Sequence, residues 1–289
     1  MKQENTRRIS VITPVYNAEK YLRQAVESAV GLEEVGEMIL VEDKSPDNAL
    51  GLCKTLVEEY DKVKLFQHPN GENRGAGASR NLGIEKSTCE FIAFLDADDF
   101  YLPKRFEREK ELFEDPKVDG VYAATGYYFE NENKTNSKLT TVDAAFEPSE
   151  LLLKLLTFKG RFTTDAITVR RDLLNKTGLF DVEMRLHQDM NLWYRFAHFG
   201  RLVPGSIDKA VAMRRVHDEN RISEKSWNSR AYFHRKNFLY FKNYANVNKR
   251  AMQIIINRFI FKNSATKLQV VFHYAKIFLV SPGLSKNYF

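Results

Sequence analysis

Short apolar runs alternate with helical stripes through the first 100 residues, and this alternation limits the fold more than any other feature. Arg8–Thr13 (RISVIT) is a β-branched run that Pro14 ends, so it reads as a first strand. Ala18–Val30 sets Leu22, Ala25, Val26, Ala29 and Val30 at helical spacing. Glu37–Glu42 (EMILVE) has the unbroken apolar character of a strand buried on both faces. Ser45–Asn48 (SPDN) carries turn and helix-starting chemistry, and Ala49–Tyr60 follows as a helix. Val63–Phe66 is a third strand, His68–Gly77 a loop rich in Gly and Asn, Ala78–Lys86 a third helix and Phe91–Leu95 (FIAFL) a fourth strand. Strands and helices in this order make right-handed crossovers and a mainly parallel central sheet flanked by helices, an α/β fold. Ligands of such sheets sit beyond the carboxyl ends of the strands. Pro14–Asn17, Glu42–Asp47, Gly71–Arg80 and Asp96–Asp99 all follow strand ends and are expected along one rim.

The second half is less regular. Val121–Phe129 reads as a strand, Glu130–Lys138 (ENENKTNSK) as a polar hairpin tip and Glu150–Leu156 as a short helix opened by Pro148–Ser149. Ala166–Val169 and Val211–Arg215 read as strands, and Asn191–His198 as an amphipathic helix that Gly200 ends. Aromatic residues at 12% supply enough core to exclude global disorder. Cys53 and Cys89 make no disulfide framework and read as packing residues in a reducing compartment. The run Ile9–Val15 is too short for a signal sequence and contains Pro14, and no stretch approaches the roughly 20 apolar residues of a spanning helix. A cytoplasmic location is therefore expected.

The net charge of +6 hides an asymmetry. No acidic residue follows Glu224, whereas 12 Lys or Arg do, so the first 224 residues carry −6. An acidic body with a basic arm points to an anionic surface as partner, and the acidic body argues against nucleic acid. Phe, Tyr and Ile alternate with the cations of this arm at helical spacing, which predicts interfacial helices lying peripherally on a membrane. Packing on the main domain, or a homodimer contact, is the alternative use of the same residues.

Asp96, Asp98 and Asp99 lie within four residues directly after an apolar strand. Carboxylates so close repel one another unless a cation or hydrogen bonds compensate them. Oxygen ligands of this kind suit Mg²⁺ or Mn²⁺, with substrate phosphates completing the shell. The plainer reading is a solvated turn before a helix at Pro103.

Four segments together carry a resemblance. Val11–Asn17 (VITPVYN), Leu40–Asn48 (LVEDKSPDN), Asn73–Gly83 (NRGAGASRNLG) and Phe94–Asp99 (FLDADD) resemble, in order and spacing, the family 2 inverting glycosyltransferases of GT-A fold. Gly178–Asp181 (GLFD), Gln188–Asp189 with Leu192–Arg195, and Arg215–His217 resemble that family's acceptor-side segment and closing motif. The likeness covers about residues 8–220. It implies a Rossmann-like GT-A domain over 1–223, with a nucleotide-sugar half (1–100) and an acceptor half (101–223), followed by a basic helical extension over 224–289.

The resemblance also implies roles. Asp43 meets the uracil ring of a UDP-sugar donor, beside Glu42 where the family usually has a second Asp. Pro14, Tyr16 and Asn17 form the first nucleotide-facing loop. Arg80 lies near the nucleotide or diphosphate, with Arg74 as competitor. Asp98 is the metal ligand, Asp96 reaches the ribose or the metal through water, and Asp99 positions the sugar or braces the loop. His217 is a late metal ligand, and Arg214 or Arg215 neutralises the leaving diphosphate. Asp189 is the general base, preceded by Gln188 where the family usually has Glu. The acceptor is a saccharide or lipid-linked saccharide hydroxyl of cell-surface polymer or glycolipid synthesis. The competing classes are a nucleotidyltransferase, which would need a basic Gly-rich loop that Thr13–Asn17 lacks, and a nonenzymatic sugar-nucleotide binder.

Overall fold

The computed structural model describes residues 8–132, 134–142, 147–157, 160–184, 186–217, 227–244, 246–264 and 266–280. The first 100 residues run β1 (Ile9–Val15), α1 (Glu19–Val30), β2 (Val35–Glu42), α2 (Ala49–Glu59), β3 (Val63–Gln67), α3 (Ala76–Lys86) and β4 (Phe91–Phe94). The second half adds β5 (Phe100–Tyr101), α4 (Glu107–Leu112), β6 (Gly120–Tyr122), β7 (Ala124–Phe129), β8 (Lys134–Thr140), α5 (Leu151–Leu156), β9 (Ile167–Arg170), α6 (Arg171–Thr177), α7 (Gln188–Phe199), β10 (Leu202–Pro204) and β11 (Ala210–Val216). Three helices follow: α8 (Trp227–Phe241), α9 (Lys249–Asn263) and α10 (Lys267–Val280).

Seven strands form the central sheet in the order β10-β6-β9-β4-β1-β2-β3. All neighbours are parallel except β9, which runs antiparallel to both β4 and β6. The expected α/β architecture is present, and the apolar runs explain it. Side chains of a strand point alternately to its two faces, so a strand with helices on both sides is apolar throughout. Ile12, Ile39, Val41, Ile92 and Phe94 enter one core with Ile84 of α3 and the apolar sides of α5, α6 and α7. Their neighbours Val11, Met38, Leu40, Phe91 and Ala93 enter the other, beneath Leu22, Ala25 and Val26 of α1 and Cys53 and Leu56 of α2.

Several expected boundaries move. Pro14 lies inside β1, which continues to Val15. Residues 121–129 do not form one strand. Ala123 donates its N–H to Ala166 O at 2.8 Å, and the chain passes from β6 in the central sheet to β7 in a second sheet. The polar run after Phe129 is a hairpin, but most of its second half is strand β8, antiparallel to β7. Strand β11 belongs to this second, four-stranded sheet (β5-β11-β7-β8), beside β5, which no sequence pattern announced.

The apolar residues of α8 and α9 fill the same core as α5 and α7. Phe233, Phe238, Phe241, Met252, Ile255, Ile256 and Ile260 are buried there, and Phe238 stacks on Phe259 at 4.5 Å. Asn237 Oδ1 accepts a buried hydrogen bond from Asn191 of α7 at 3.1 Å. The expected boundary between 223 and 224, and Lys225 and Lys286 of the basic arm, lie outside the described residues.

Candidate active site

The carboxyl ends of β1, β2 and β4 and the end of β11 surround a cleft of about 270 Å³. Pro14, Tyr16, Asn17, Asp43, Arg80, Asp96, Asp98, Asp99, Arg215 and His217 line it, together with Arg214. Glu42, Gln188 and Asp189, also expected at the site, lie outside its wall.

At the β1 end, Asn17 takes a left-handed backbone (φ 52°) and donates its N–H to Ser45 Oγ at 3.3 Å. The turn after β2 is thereby joined to the turn after β1. Glu42 is buried and braces the same turn, accepting the Ser45 N–H at 2.5 Å and the Gln67 amide at 2.6 Å. Asp43 is also buried, and its two carboxylate oxygens take the backbone N–H groups of Arg74 (2.7 Å) and Gly75 (2.8 Å). Asn73 donates to the Asp43 carbonyl at 2.7 Å. Asp43 thus anchors the Gly-rich loop to the end of β2 while facing the cleft. Gly75 opens α3 from a backbone (φ 84°) that residues with side chains rarely adopt.

The two arginine candidates separate clearly. Arg74 is exposed and pairs with Glu72 at 2.9 Å. Arg80, buried on α3, pairs with Asp96 at 2.5 Å and lies 5.5 Å from the Phe180 ring centre.

The acidic turn is held from below and from the side. Asp99 N–H bonds back to Asp96 O at 3.1 Å. The Asp99 carboxylate accepts the Arg215 N–H at 2.7 Å, because β11 pairs with β5 and so runs alongside the turn. Arg215 donates from Nε to Asp98 O at 2.9 Å and from Nη2 to Gln24 Oε1. Its guanidinium lies 4.7 Å from the Tyr21 ring centre and 5.2 Å from that of Tyr128. Arg215 is therefore a brace for the acidic turn. Arg214 carries the neighbouring charge: burial opposes its ionisation, and Asp99, Asp165 and Asp96 outweigh burial and hold it protonated.

Sequence reasoning missed Asp165. It sits in a 3-10 turn (Thr164–Ala166) before β9 and is almost fully buried. Its Oδ1 accepts the Asp96 N–H at 2.9 Å. Carboxylate oxygens of Asp96, Asp99 and Asp165 all lie within 4.8 Å of one another. Burial, then the charge of Asp96, pushes the Asp165 carboxyl up to about 6. Burial, then Asp165, Asp98 and Asp96, pushes Asp99 well above the usual carboxylate range. No local pattern marks Asp165; the antiparallel insertion of β9 next to β4 brings it there.

Two acidic groupings could thus be considered for a cation. The Asp99–Asp165 pair is buried, disfavours full ionisation and already receives backbone N–H groups. Asp98, by contrast, is one-third exposed, and its Oδ2 lies 3.3 Å from His217 Nε2. Carboxylate oxygens at an open cleft suit Mn²⁺ or Mg²⁺, and Asp96, paired with Arg80, lines the same cleft. Asp98 and His217, with Asp96 on the same cleft wall, could hold a divalent cation, whereas among the described residues the acidic groups within 4.8 Å of one another are Asp96, Asp99 and Asp165.

Gln188 and Asp189 form the first turn of α7, entered through His187 in a left-handed backbone (φ 62°). The Gln188 side chain covers Gly77: a Cβ added there would come 1.9 Å from Gln188 Oε1. The starts of α3 and α7 therefore abut, and Asp189 lies within electrostatic reach of Arg80.

Comparison with known proteins identifies the family. The family described as "Glycosyl transferase family 2" matches residues 10–178. An uncharacterized glycosyltransferase of Rickettsia felis is 28% identical over 217 residues, covering 73% of this chain and 34% of that protein. The minor teichoic acid biosynthesis protein GgaA of Bacillus subtilis is 27% identical over 247 residues, covering 81% of this chain and 52% of that protein. The chain thus spans between a third and about half of the length of these relatives. Among solved structures, S. aureus TarS 1-349 in complex with UDP-GlcNAc is similar with a TM-score of 0.68 at 18% identity, covering 95% of this chain and 82% of that one. The mannosyltransferase PcManGT from Pyrobaculum calidifontis, in complex with GDP-Man and Mn²⁺, gives 0.56 at 14% identity, covering 97% and 83%. The structural likeness establishes the GT-A fold, and the family match takes in the four motif segments of the first 100 residues together with β9 and Asp165. The chain belongs to glycosyl transferase family 2.

Proposed function

We propose that the protein transfers a sugar from a UDP-sugar to an acceptor hydroxyl with inversion, assisted by Mn²⁺ or Mg²⁺. The observation that carries this reading is the approach of Asp98 and His217 at the mouth of a cleft also walled by Arg80 and Arg214. Carboxylates and two guanidinium groups lining one cleft suit a nucleoside diphosphate with its divalent cation. Asp43, Pro14, Tyr16 and Asn17 would hold the base and ribose at the other end. The UDP-GlcNAc bound by TarS supports a uridine donor, and the teichoic acid role of GgaA supports a saccharide or lipid-linked saccharide acceptor of cell-surface polymer synthesis.

In this reading the acceptor hydroxyl enters from the α7 side, opposite the diphosphate. Asp189 takes its proton as the oxygen attacks C1, and the bond from C1 to the UDP oxygen breaks. Arg214 and Arg80 offset charge growing on the diphosphate. Asp98, with Asp96 and His217, would hold a divalent cation, which would further neutralise charge on the leaving group. Arg215 and the Asp99–Asp165 pair keep the acidic turn in place. The free thiols of Cys53 and Cys89 support a cytoplasmic location.

The test is UDP release from UDP-GlcNAc and other UDP-sugars, with and without Mn²⁺, alongside GDP-mannose as competitor donor. Metal-dependent UDP release is expected. Clearly tighter binding of GDP than UDP in titration calorimetry would overturn the donor assignment.

A further inference from the structure

The fold sorts the apolar residues of the basic arm into two sets. Phe238, Phe241 and Ile255 are core residues, and Tyr240, Ile254, Phe259 and Val270 pack against that core. Leu268, Val271 and Phe272 of α10 do not: they are 79%, 64% and 63% exposed. Their spacing of three and four residues puts them on one face of the helix, and exposed Ala275 continues it. The opposite face is the one that is held. Val270 packs on the core, and His273 Nδ1 lies 2.8 Å from Ser264 Oγ with its ring 5.7 Å from that of Phe259. Phe261, in the last turn of α9 just before α10, is 58% exposed as well.

Scattered exposed apolar residues are ordinary, but three large ones in a row on one helix face mark a surface that meets something. Charge indicates what it meets. Helix α10 contains Lys267 and Lys276 and no acid, and no acidic residue occurs after Glu224. Length restricts the mode of contact. Fourteen residues of helix extend about 21 Å, short of the roughly 30 Å hydrocarbon core, so α10 can lie in the interface and not cross it. No described helix is long and apolar enough to span a membrane.

We propose that the outer face of α10, with Phe261, docks the protein on an anionic lipid surface. Helices α8 and α9 serve as the rigid mount, and α10 is the part that enters the headgroup layer. Apolar insertion and cation attraction then act together, the second screened by salt within about 10 Å. The inference is independent of donor and acceptor identity.

The experiment is co-sedimentation of the full chain with phosphatidylcholine vesicles, with or without about one-third phosphatidylglycerol, at low and high salt. The comparison variant carries Leu268→Ser, Val271→Ser and Phe272→Ser together; these exposed positions should leave the thermal midpoint and UDP release from soluble substrates unchanged. Wild type should bind the anionic vesicles and lose binding as salt rises. The variant should bind at least about tenfold more weakly, the scale of losing several buried methylene groups. Equal binding by variant and wild type, equal binding to neutral vesicles, or no wild-type binding at all would overturn the proposal. So would a wild-type dimer in sedimentation velocity that the variant abolishes while neither binds lipid, which would make the face a contact between copies. Lipid binding without any sugar transfer would instead sink the proposed function and leave this inference standing.

Discussion

Replacing Glu37 by Gln should cost the donor half more stability than a typical polar substitution, and the cost should depend on pH. Glu37 lies on β2, 3% exposed. Its carboxylate accepts from Ser10 Oγ of β1 at 2.6 Å, Lys64 Nζ of β3 at 2.6 Å, and the N–H and Oγ1 of Thr88 before β4 at 2.5 and 2.9 Å. One side chain thus ties three strands and the entry to a fourth. Burial alone would raise its pKa, but Lys64, Ser10 and Thr88 overcome burial and bring it down to about 2 from 4.5. A shift of that size corresponds to about 3 kcal/mol of folding stability at neutral pH. Because the folded-state pKa is depressed, this stability is fully present above the unfolded value of 4.5 and is lost as pH falls towards 2. Urea unfolding of wild type and Glu37→Gln at several pH values measures the difference, in which other titrating groups largely cancel. The gap should be about 3 kcal/mol at pH 7 and less than half of that at about pH 3. A gap that stays constant from pH 7 to pH 3 would show that the carboxylate's charge does not hold these strands together.

Four further outcomes concern the site. Asp98→Asn should abolish divalent-dependent UDP binding and turnover, since an amide cannot replace the anionic ligand; full activity of wild type in excess EDTA would contradict this. Asp189→Asn should keep donor affinity and lose roughly 10²- to 10⁴-fold in rate, the scale of a general base. A loss of affinity with kcat unchanged would make Asp189 a binding residue. Arg80→Lys should weaken UDP binding at least about tenfold, because a lysine lacks the planar guanidinium that reaches Asp96 Oδ1 through Nη2 while facing the Phe180 ring. Arg74→Ala should change UDP binding less than about twofold, since exposed pairs such as Arg74–Glu72 contribute little. The reverse ranking in calorimetry would exchange their roles.

The donor half was readable because its physics is local. Each strand buried on both faces, such as Met38–Val41, is an unbroken apolar run, and each turn after it carries the residues that face the cleft. Even so, Asp43 shows a limit. Its position after β2 was legible, but not the commitment of both its oxygens to the backbone of Arg74 and Gly75, which are some thirty residues away. The second half was less readable because its partners are remote. The split between β6 and β7 depends on Ala166, and β5 is two residues long and exists because β11 lies beside it.

Asp165 and Arg215 make the same point chemically. A motif identifies carboxylates that face a ligand, but three acids in four residues can hold one geometry only if something else fixes them. Here the fixing groups come from the other half of the chain: Asp165 receives the Asp96 N–H, and Arg215 binds Asp98 O while its own N–H serves Asp99. The seemingly irregular segments, an antiparallel β9 and a β11 diverted to a second sheet, are what bring those groups under and beside the turn. A donor-half fragment ending near residue 100 would therefore contain nearly every motif acid and yet lack the contacts that hold them in place.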